Sequence, residues 1–356
     1  MHIHDRKTYT VESVTSGHPD KVCDQISDAI LDECLRQDPM SRVAVETFGS
    51  HGHLVMGGEV TTTATVDYAK ISAKVYREIG YTKSLDTQVF IVEQSPDIAQ
   101  GVNTGGAGDQ GIMYGFATNE TPEYLPQGVV FVHKLAERLQ EAREKREIKW
   151  LKPDGKTQVT FQGGKLVTVL VSTQHAKGVH QEEIKKTVIE KIIKPVVGST
   201  KGVEVLVNPT GNFELGGFEA DTGLTGRKIM VDTYGGLICH GGGAFSGKDL
   251  TKVDRSAAYM CRFVAKNLVA NGYTKDCLVS VAYAIGHVEP LMVHAIDEKG
   301  RSLVALVKKH FDFRPLAIIE RLNLRCPPPG GGYRQTAAYG HFGKKGLPWE
   351  KVMKIV

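Results

Sequence analysis

Apolar residues change their spacing along this chain in an order that recurs. Asp20 to Leu35 sets Val22, Ile26, Ala29 and Ile30 on one helical face just after a proline. The spacing then becomes that of strands: Val43 to Phe48 and Leu54 to Thr62 flank the turn Gly49-Ser-His-Gly52. A helix follows, with Ile71, Val75 and Ile79 one turn apart, and then a strand at Gln88 to Glu93. The order returns with a helix from Val129 to Lys149 and a hairpin of Val159 to Phe161 and Leu166 to Val171 around Gly163-Gly164. A helix with Ile184, Val188 and Ile192 and a strand at Val203 to Val207 complete it. The last third reads as a strand at Lys228 to Thr233, a glycine-rich segment, a helix at Thr251 to Val269 and a strand at Leu278 to Ala284. Two helical stretches, Leu303 to Phe311 and Leu316 to Leu322, end it. Over 356 residues this fits three α+β units of about 100 residues better than one doubly wound sheet. No residue-level repeat accompanies the order, so the threefold reading rests on elements alone, with boundaries at 1–100, 105–220 and 221–356.

Composition removes several functional classes. With 41% hydrophobic and 24% charged residues, the chain is an ordinary globular one. Its 44 Lys and Arg against 40 Asp and Glu leave +4, with both signs interspersed, so no nucleic-acid footprint is expected. Any cationic surface should be a local pocket for a small anion. The six cysteines never form Cys-x-x-Cys, which points to a reducing compartment. The start, Met1-His-Ile-His-Asp-Arg-Lys7, lacks a secretory apolar stretch, and runs such as Leu166 to Val171 are too short to cross a bilayer. A cytoplasmic location without membrane contact is expected.

Several segments bear chemistry. Gly241-Gly-Gly-Ala-Phe-Ser-Gly-Lys248-Asp249 reads as opening a helix that carries Lys252 and Asp254. Glycines let backbone approach a ligand, free amides attract phosphate, and lysine adds a charge. The spacing from Gly242 matches G-x-x-x-x-G-K, but Asp249 stands where a P-loop needs Ser or Thr for magnesium, so a Walker motif is rejected. On a helix Lys248 and Lys252 would repel by about 0.2–0.5 kcal/mol, which a bound polyanion reverses. A solvated face balanced by Asp249 and Asp254 is the alternative. Gly106-Ala-Gly-Asp-Gln-Gly111 matches G-x-G-x-x-G without the strand before it or the helix after it that a dinucleotide fold requires. Asp109 there fits either a sugar or base contact or a plain turn.

Gly17-His18-Pro19-Asp20-Lys21 places an imidazole, a carboxylate and an ammonium at a helix start. Asp20 fits either a favourable helix-dipole charge or a hard metal ligand. Glu46 and Glu59 lie on adjacent strands with their shared face undetermined. Asp221-Thr-Gly-Leu-Thr-Gly-Arg227-Lys228 puts a carboxylate before two cations at a strand start, and Lys156 follows Asp154-Gly155 in a turn. With Lys248 and Lys252 these cations could neutralise a triphosphate if folding gathers them. No Gly-x-Ser-x-Gly occurs, and the thirteen histidines, including His2 and His4 at a frayed terminus, show no zinc spacing. Ser95 to Gly105 suits a mobile loop over a site, and Pro327-Pro-Pro-Gly-Gly-Gly332 a surface connector.

The segments Gly17 to Lys21, Gly106 to Gly111, Gly241 to Asp249 and Lys252-Val-Asp-Arg-Ser256 resemble the signature segments of the S-adenosylmethionine synthetase family. The resemblance extends through Asp67 to Tyr81, Gln94-Ser-Pro-Asp97, Ser172-Thr-Gln-His175, Gly223 to Lys228, Asp232-Thr-Tyr-Gly-Gly236 and Ala337 to Phe342. It implies an α+β fold of three similar domains about a pseudo-threefold axis. It also implies a homodimer with active sites between subunits, with homotetramers a further assembly, and Mg2+ and K+ as cofactors. ATP and L-methionine would be the substrates of a transferase. His18, Lys156, Arg227, Lys228 and Lys248 would meet the triphosphate, and Asp109, Asp154, Gly155, Phe213 and Ala244 would line the nucleotide site. Glu59, Gln94 and Lys252 would hold methionine, with Asp221 near both substrates. Asp20 and Asp254 would hold magnesium, and Glu46 potassium.

This chain departs from the family at Asn212, where Asn208-Pro-Thr-Gly-Asn212-Phe213 carries an amide in place of the usual arginine. Its 95–105 loop is also short for the family, and Ser16 replaces an acidic residue. Two other readings remain at this stage. One is a non-catalytic relative that binds ATP or a catalytic subunit; the other is a triphosphate or nucleotide hydrolase indifferent to methionine.

Overall fold

The structure, a computed structural model, describes residues 7–94 and 105–355. After strand β1 (Tyr9–Val14), helix α1 (Pro19–Gln37) begins where His18 caps it and Pro19 presets φ at the first helical position. The hairpin β2 (Arg42–Ser50) and β3 (His53–Thr61), helix α2 (Tyr68–Ile79) and strand β4 (Asp86–Val92) follow. Asp67 caps α2 by accepting the Lys70 amide at 3.0 Å. The order repeats with β5 (Gly111–Thr118), α3 (Gln127–Glu144), the hairpin β6 (Leu151–Gln162) and β7 (Lys165–His175), α4 (Gln181–Val188) and β8 (Glu204–Val207). It returns without the closing parallel strand in β9 (Gly223–Leu224), α5 (Val253–Ala270), the hairpin β10 (Asp276–Tyr283) and β11 (Met292–Asp297), α6 (Val304–His310) and α7 (Pro315–Arg321). The fold is α+β with three similar units, as expected.

The units trade strands in a closed cycle. The strand before the first unit's helix, β1, pairs antiparallel with β6 of the second unit. β5, before the second unit's helix, pairs with β10 of the third, and β9, before the third unit's helix, pairs with β2 of the first. The sheets therefore run β4-β3-β2-β9, β1-β6-β7-β8 and β11-β10-β5. Each borrowed strand covers an edge that would otherwise expose unpaired backbone groups. β4 and β8 add in parallel to β3 and β7, as strands returning through a helix do.

Some sequence expectations change. Lys228 to Thr233, read as a strand, folds instead as a short helix, Ile229–Asp232, closed by the Thr233 hydroxyl donating to the Ile229 carbonyl at 2.9 Å. A run this short carries no period by which helix and strand differ. Lys248, read as helical, lies before α5, and Lys252 is that helix's N-cap. The expected loop at Ser95 to Gly105 lies, except for Gly105, outside the described residues, as do His2 and His4.

α1 and α5 run through the interior. α1 buries Val22, Ile26, Ile30 and Leu31 together with Asp20, Asp24 and Asp28. α5 buries Arg255 and Arg262, which pair with Asp28 at 2.6 Å and Glu350 at 2.9 Å. Pairing of this kind is what makes buried charge tolerable. Among the described residues no helix is long and apolar enough to cross a membrane.

Candidate functional site

The start of α1 gathers charge. Gly17 precedes it because a Cβ there would stand 2.4 Å from the Pro153 carbonyl oxygen, so only glycine lets α1 begin against β6. His18 is buried, and its Nδ1 accepts the Asp20 amide at 3.2 Å. A backbone N–H can only donate, so the ring proton lies on Nε2. Burial, with the ammoniums of Lys228 and Lys156 nearby, drives the pKa of His18 from 6.5 down to about 2, against a smaller opposing effect of Asp221. The ring is therefore neutral and donates through Nε2. Asp20 accepts the Leu224 amide at 3.0 Å and the Lys228 ammonium at 2.5 Å, with Arg227 Nε at 3.5 Å.

β6 carries Asp154, Gly155 and Lys156 past this point, in a strand and not the turn expected. Asp154 accepts the Gly217 amide at 2.8 Å, and burial pushes its pKa up to about 6 against the pull of that amide and Lys156. Phe213 lies beside the end of β7, its amide donating to His175 Nε2 at 3.0 Å. His18, Asp20, Asp154, Gly155, Lys156, Phe213, Asp221, Arg227 and Lys228 thus form one neighbourhood.

The glycine-rich segment reaches the same neighbourhood along the edge of β2. Phe48 and Gly49 of β2 pair with Leu224 and Gly223, while further along the strand Val45 donates to the Gly247 carbonyl at 3.0 Å and Asp249 to that of Val43 at 2.9 Å. Ala244 sits against Gly226, where a Cβ would come within 2.6 Å of its own. Lys248 pairs with Asp254 at 2.7 Å, and Lys252 with Asp249. The loop that carries Arg227 and Lys228 into the short helix and the segment that ends at Lys248 thus both line the edge of β2, and they approach each other at Gly226 and Ala244.

Strand register settles the question of Glu46 and Glu59. Glu59 is opposite Ala44, and Lys248 bridges to Ala44 from the other side, so Lys248, Glu59 and Glu46 share one face of the first sheet. Phe90 and Val92 of β4 lie on that face, in register with Gly57 and Glu59. Gln94 follows two residues beyond Val92. Asp109 is exposed in the loop leading to β5, its carboxylate accepting the Gln110 amide at 2.7 Å. Among the described residues, the buried side-chain atoms without a hydrogen-bond partner include Gln94 Oε1, Asp154 Oδ1 and Ser246 Oγ. Such groups normally find a partner. Here two belong to expected site residues and the third lies two positions from Lys248.

Sequence reasoning missed what holds these segments together: Asp24 and Asp28 of α1, which accept the Gly226 amide at 2.9 Å and the Gly247 amide at 2.8 Å. Their spacing of four from Asp20 was the available signal.

Family models cover nearly the whole chain: the S-adenosylmethionine synthetase N-terminal domain matches residues 6–99, the central domain 104–213 and the C-terminal domain 215–351. A protein of Thermosynechococcus vestitus named S-adenosylmethionine synthase is 47% identical over 402 residues, spanning 98% of this chain and 96% of its own. One of Staphylococcus epidermidis with the same name is 47% identical over 391 residues, spanning 99% and 97%. Both alignments are longer than the 356 residues here, so these relatives carry segments that this chain lacks. With all three domain models matched in order and the relatives aligned almost end to end, the chain belongs to the S-adenosylmethionine synthetase family.

Proposed function

We propose that this chain makes S-adenosylmethionine as a methionine adenosyltransferase. The sulfur of L-methionine attacks C5′ of ATP and the triphosphate departs whole. Water then cleaves the bound triphosphate to phosphate and diphosphate before S-adenosylmethionine leaves. The thioether is itself the nucleophile, so the protein's task is to stabilise charge on the departing triphosphate. The observation that carries this reading is the gathering of Lys156, Arg227 and Lys228 around a neutral His18 and its neighbour Asp20.

In this arrangement His18 gives its Nε2–H to the departing oxygen, and Lys156, Arg227, Lys228 and Lys248 meet the phosphates. Phe213 stacks on adenine, with Asp109, Asp154, Gly155 and Ala244 lining the nucleotide. Glu59, Gln94 and Lys252 hold the polar end of methionine, and Asp221 lies by both substrates. Asp20 and Asp254 are the residues that would hold magnesium. Each is paired with a lysine assigned to phosphate, and one or two carboxylates with phosphate oxygens and water is a donor set magnesium accepts. When bound, the metal offsets charge on the leaving triphosphate. Glu46 offers carboxylate oxygens to potassium.

A second copy completes the site in this reading. Phe90 and Val92, each 63% exposed, and Phe48, 43% exposed, make an apolar face around Glu46 and Glu59 that a homodimer covers. All six cysteines are free, which suits the reducing cytoplasm. The test is mass spectrometry of the protein with ATP, L-methionine, Mg2+ and K+, following phosphate in the same tube. S-adenosylmethionine should form only in the complete mixture. Phosphate without the sulfonium would indicate a hydrolase, and neither product from folded protein a non-catalytic relative.

A further inference from the structure

We infer that Asp24 and Asp28, which belong to no substrate contact, are positioning residues: from successive turns of α1 they hold the two cationic loops at a fixed spacing for the triphosphate. The inference rests on reading Arg227, Lys228 and Lys248 as phosphate contacts.

Asp20, Asp24, Asp28 and Asp32 follow one another at intervals of four, so they line one face of α1. Like charges at that spacing disfavour a helix. Each is compensated by a distant backbone amide: Leu224 for Asp20 at 3.0 Å, Gly226 for Asp24 at 2.9 Å and Gly247 for Asp28 at 2.8 Å. Tyr333 serves Asp32 at 2.7 Å. Gly226 immediately precedes Arg227-Lys228, and Gly247 immediately precedes Lys248. The carboxylates thus grip the backbone at the residue before Arg227 and the residue before Lys248, and the helix sets the grips about 6 Å apart along its axis.

Each grip has its own counter-ion. Buried Lys21 donates to Asp24 at 2.9 Å and also to Asp232. Arg255 meets both oxygens of Asp28, at 2.6 and 2.8 Å, and the Lys248 carbonyl at 3.2 Å. The loops have further anchors on β2, where the Thr47 amide donates to Thr225 Oγ1 at 2.9 Å and the Val45 amide to the Gly247 carbonyl. Loss of the Asp24 grip should therefore displace Arg227 and Lys228 without detaching their loop. A displacement of about 1 Å at such a site can cost about 10²-fold in rate.

The test uses inorganic tripolyphosphate as the probe, with calorimetric affinity, steady-state kinetics and thermal melting measured on wild type, Asp24→Ala and Asp24→Asn. Asp24→Ala should melt cooperatively, leave the KM for methionine unchanged, bind tripolyphosphate roughly tenfold more weakly and lose about 10²-fold in kcat. Asp24→Asn keeps an oxygen that accepts the Gly226 amide and should recover most of the affinity. Tripolyphosphate bound by folded Asp24→Ala as tightly as by wild type overturns the inference, as does Asp24→Asn no better than alanine. Should Asp24→Ala not fold, Asp24→Glu is read instead. It keeps a charge for Lys21 but shifts the acceptor by one methylene, so weakened binding supports the grip and unchanged binding overturns it. Wild-type protein that ignores tripolyphosphate would reject the phosphate reading itself, a separate failure.

Discussion

His18 Nδ1 and the Asp20 amide, 3.2 Å apart, fix the imidazole as a donor. The pKa of about 2 keeps the ring uncharged across the physiological range. The pH profile of kcat/KM should therefore show no histidine inflection near 6.5 that disappears in a His18 variant. His18→Asn retains a side-chain N–H and should lose less activity than His18→Leu, for which a fall of about 10²–10³ is expected. Equal losses in both variants, measured at several pH values, would reject the donor role.

What the sequence disclosed follows from distance along the chain. α1, the first two hairpins and α5 were readable because their apolar periods are long and their partners close. β1, β5 and β9 were not, because each is completed by a hairpin of another unit: Val11 pairs with Val159, and Phe116 with Leu278. The nature of the site residues was legible, but their common face was not. That depends on register, which puts Glu59 and Lys248 on either side of Ala44. The carboxylate spacing on α1 could be read directly, yet its partners are backbone amides of glycine-rich loops, which no side-chain pattern announces.

His133 tests the linkage of burial to pH. It is buried on α3 with Nδ1 2.9 Å from Ser13 Oγ, and burial, reinforced by the Lys344 and Lys21 ammoniums, lowers its pKa from 6.5 to about 3. Below pH 6.5 the unfolded chain takes a proton that the folded chain refuses until about pH 3. The contribution of His133 to stability is thus complete above 6.5 and falls by about 1.4 kcal/mol per pH unit within that window. Comparing urea unfolding of wild type and His133→Gln at pH 7 and pH 5 isolates this group from the others. The stability advantage of wild type should shrink at the lower pH; a constant gap would contradict the assignment.

Asn212 is exposed beside Phe213, at the position where the resemblance implies an arginine. A guanidinium here would add a charged hydrogen bond to the nucleotide without touching the reacting atoms. Asn212→Arg should lower the KM for ATP roughly tenfold and leave kcat unchanged, the pattern of uniform binding. Initial-rate kinetics over an ATP series decide it. No change in KM would place position 212 away from the nucleotide.

Phe90 addresses the assembly. It is 63% exposed, so replacing it removes little from the core, and it shares a face with Val92, Glu46 and Glu59. A stable dimer buries about 800 Å² per partner, and a lysine within an apolar patch of that size would carry charge into the interface. Phe90→Lys should melt close to wild type when both are measured as monomers at high dilution. In sedimentation at micromolar concentration it should run as a monomer. Its transferase activity should fall with the dimer fraction, because Glu46, Glu59 and Lys248 face the partner in the proposed assembly. If Phe90→Lys sediments as wild type does and keeps full activity, this face does not form the interface, and the residues on it must reach the substrates within one chain.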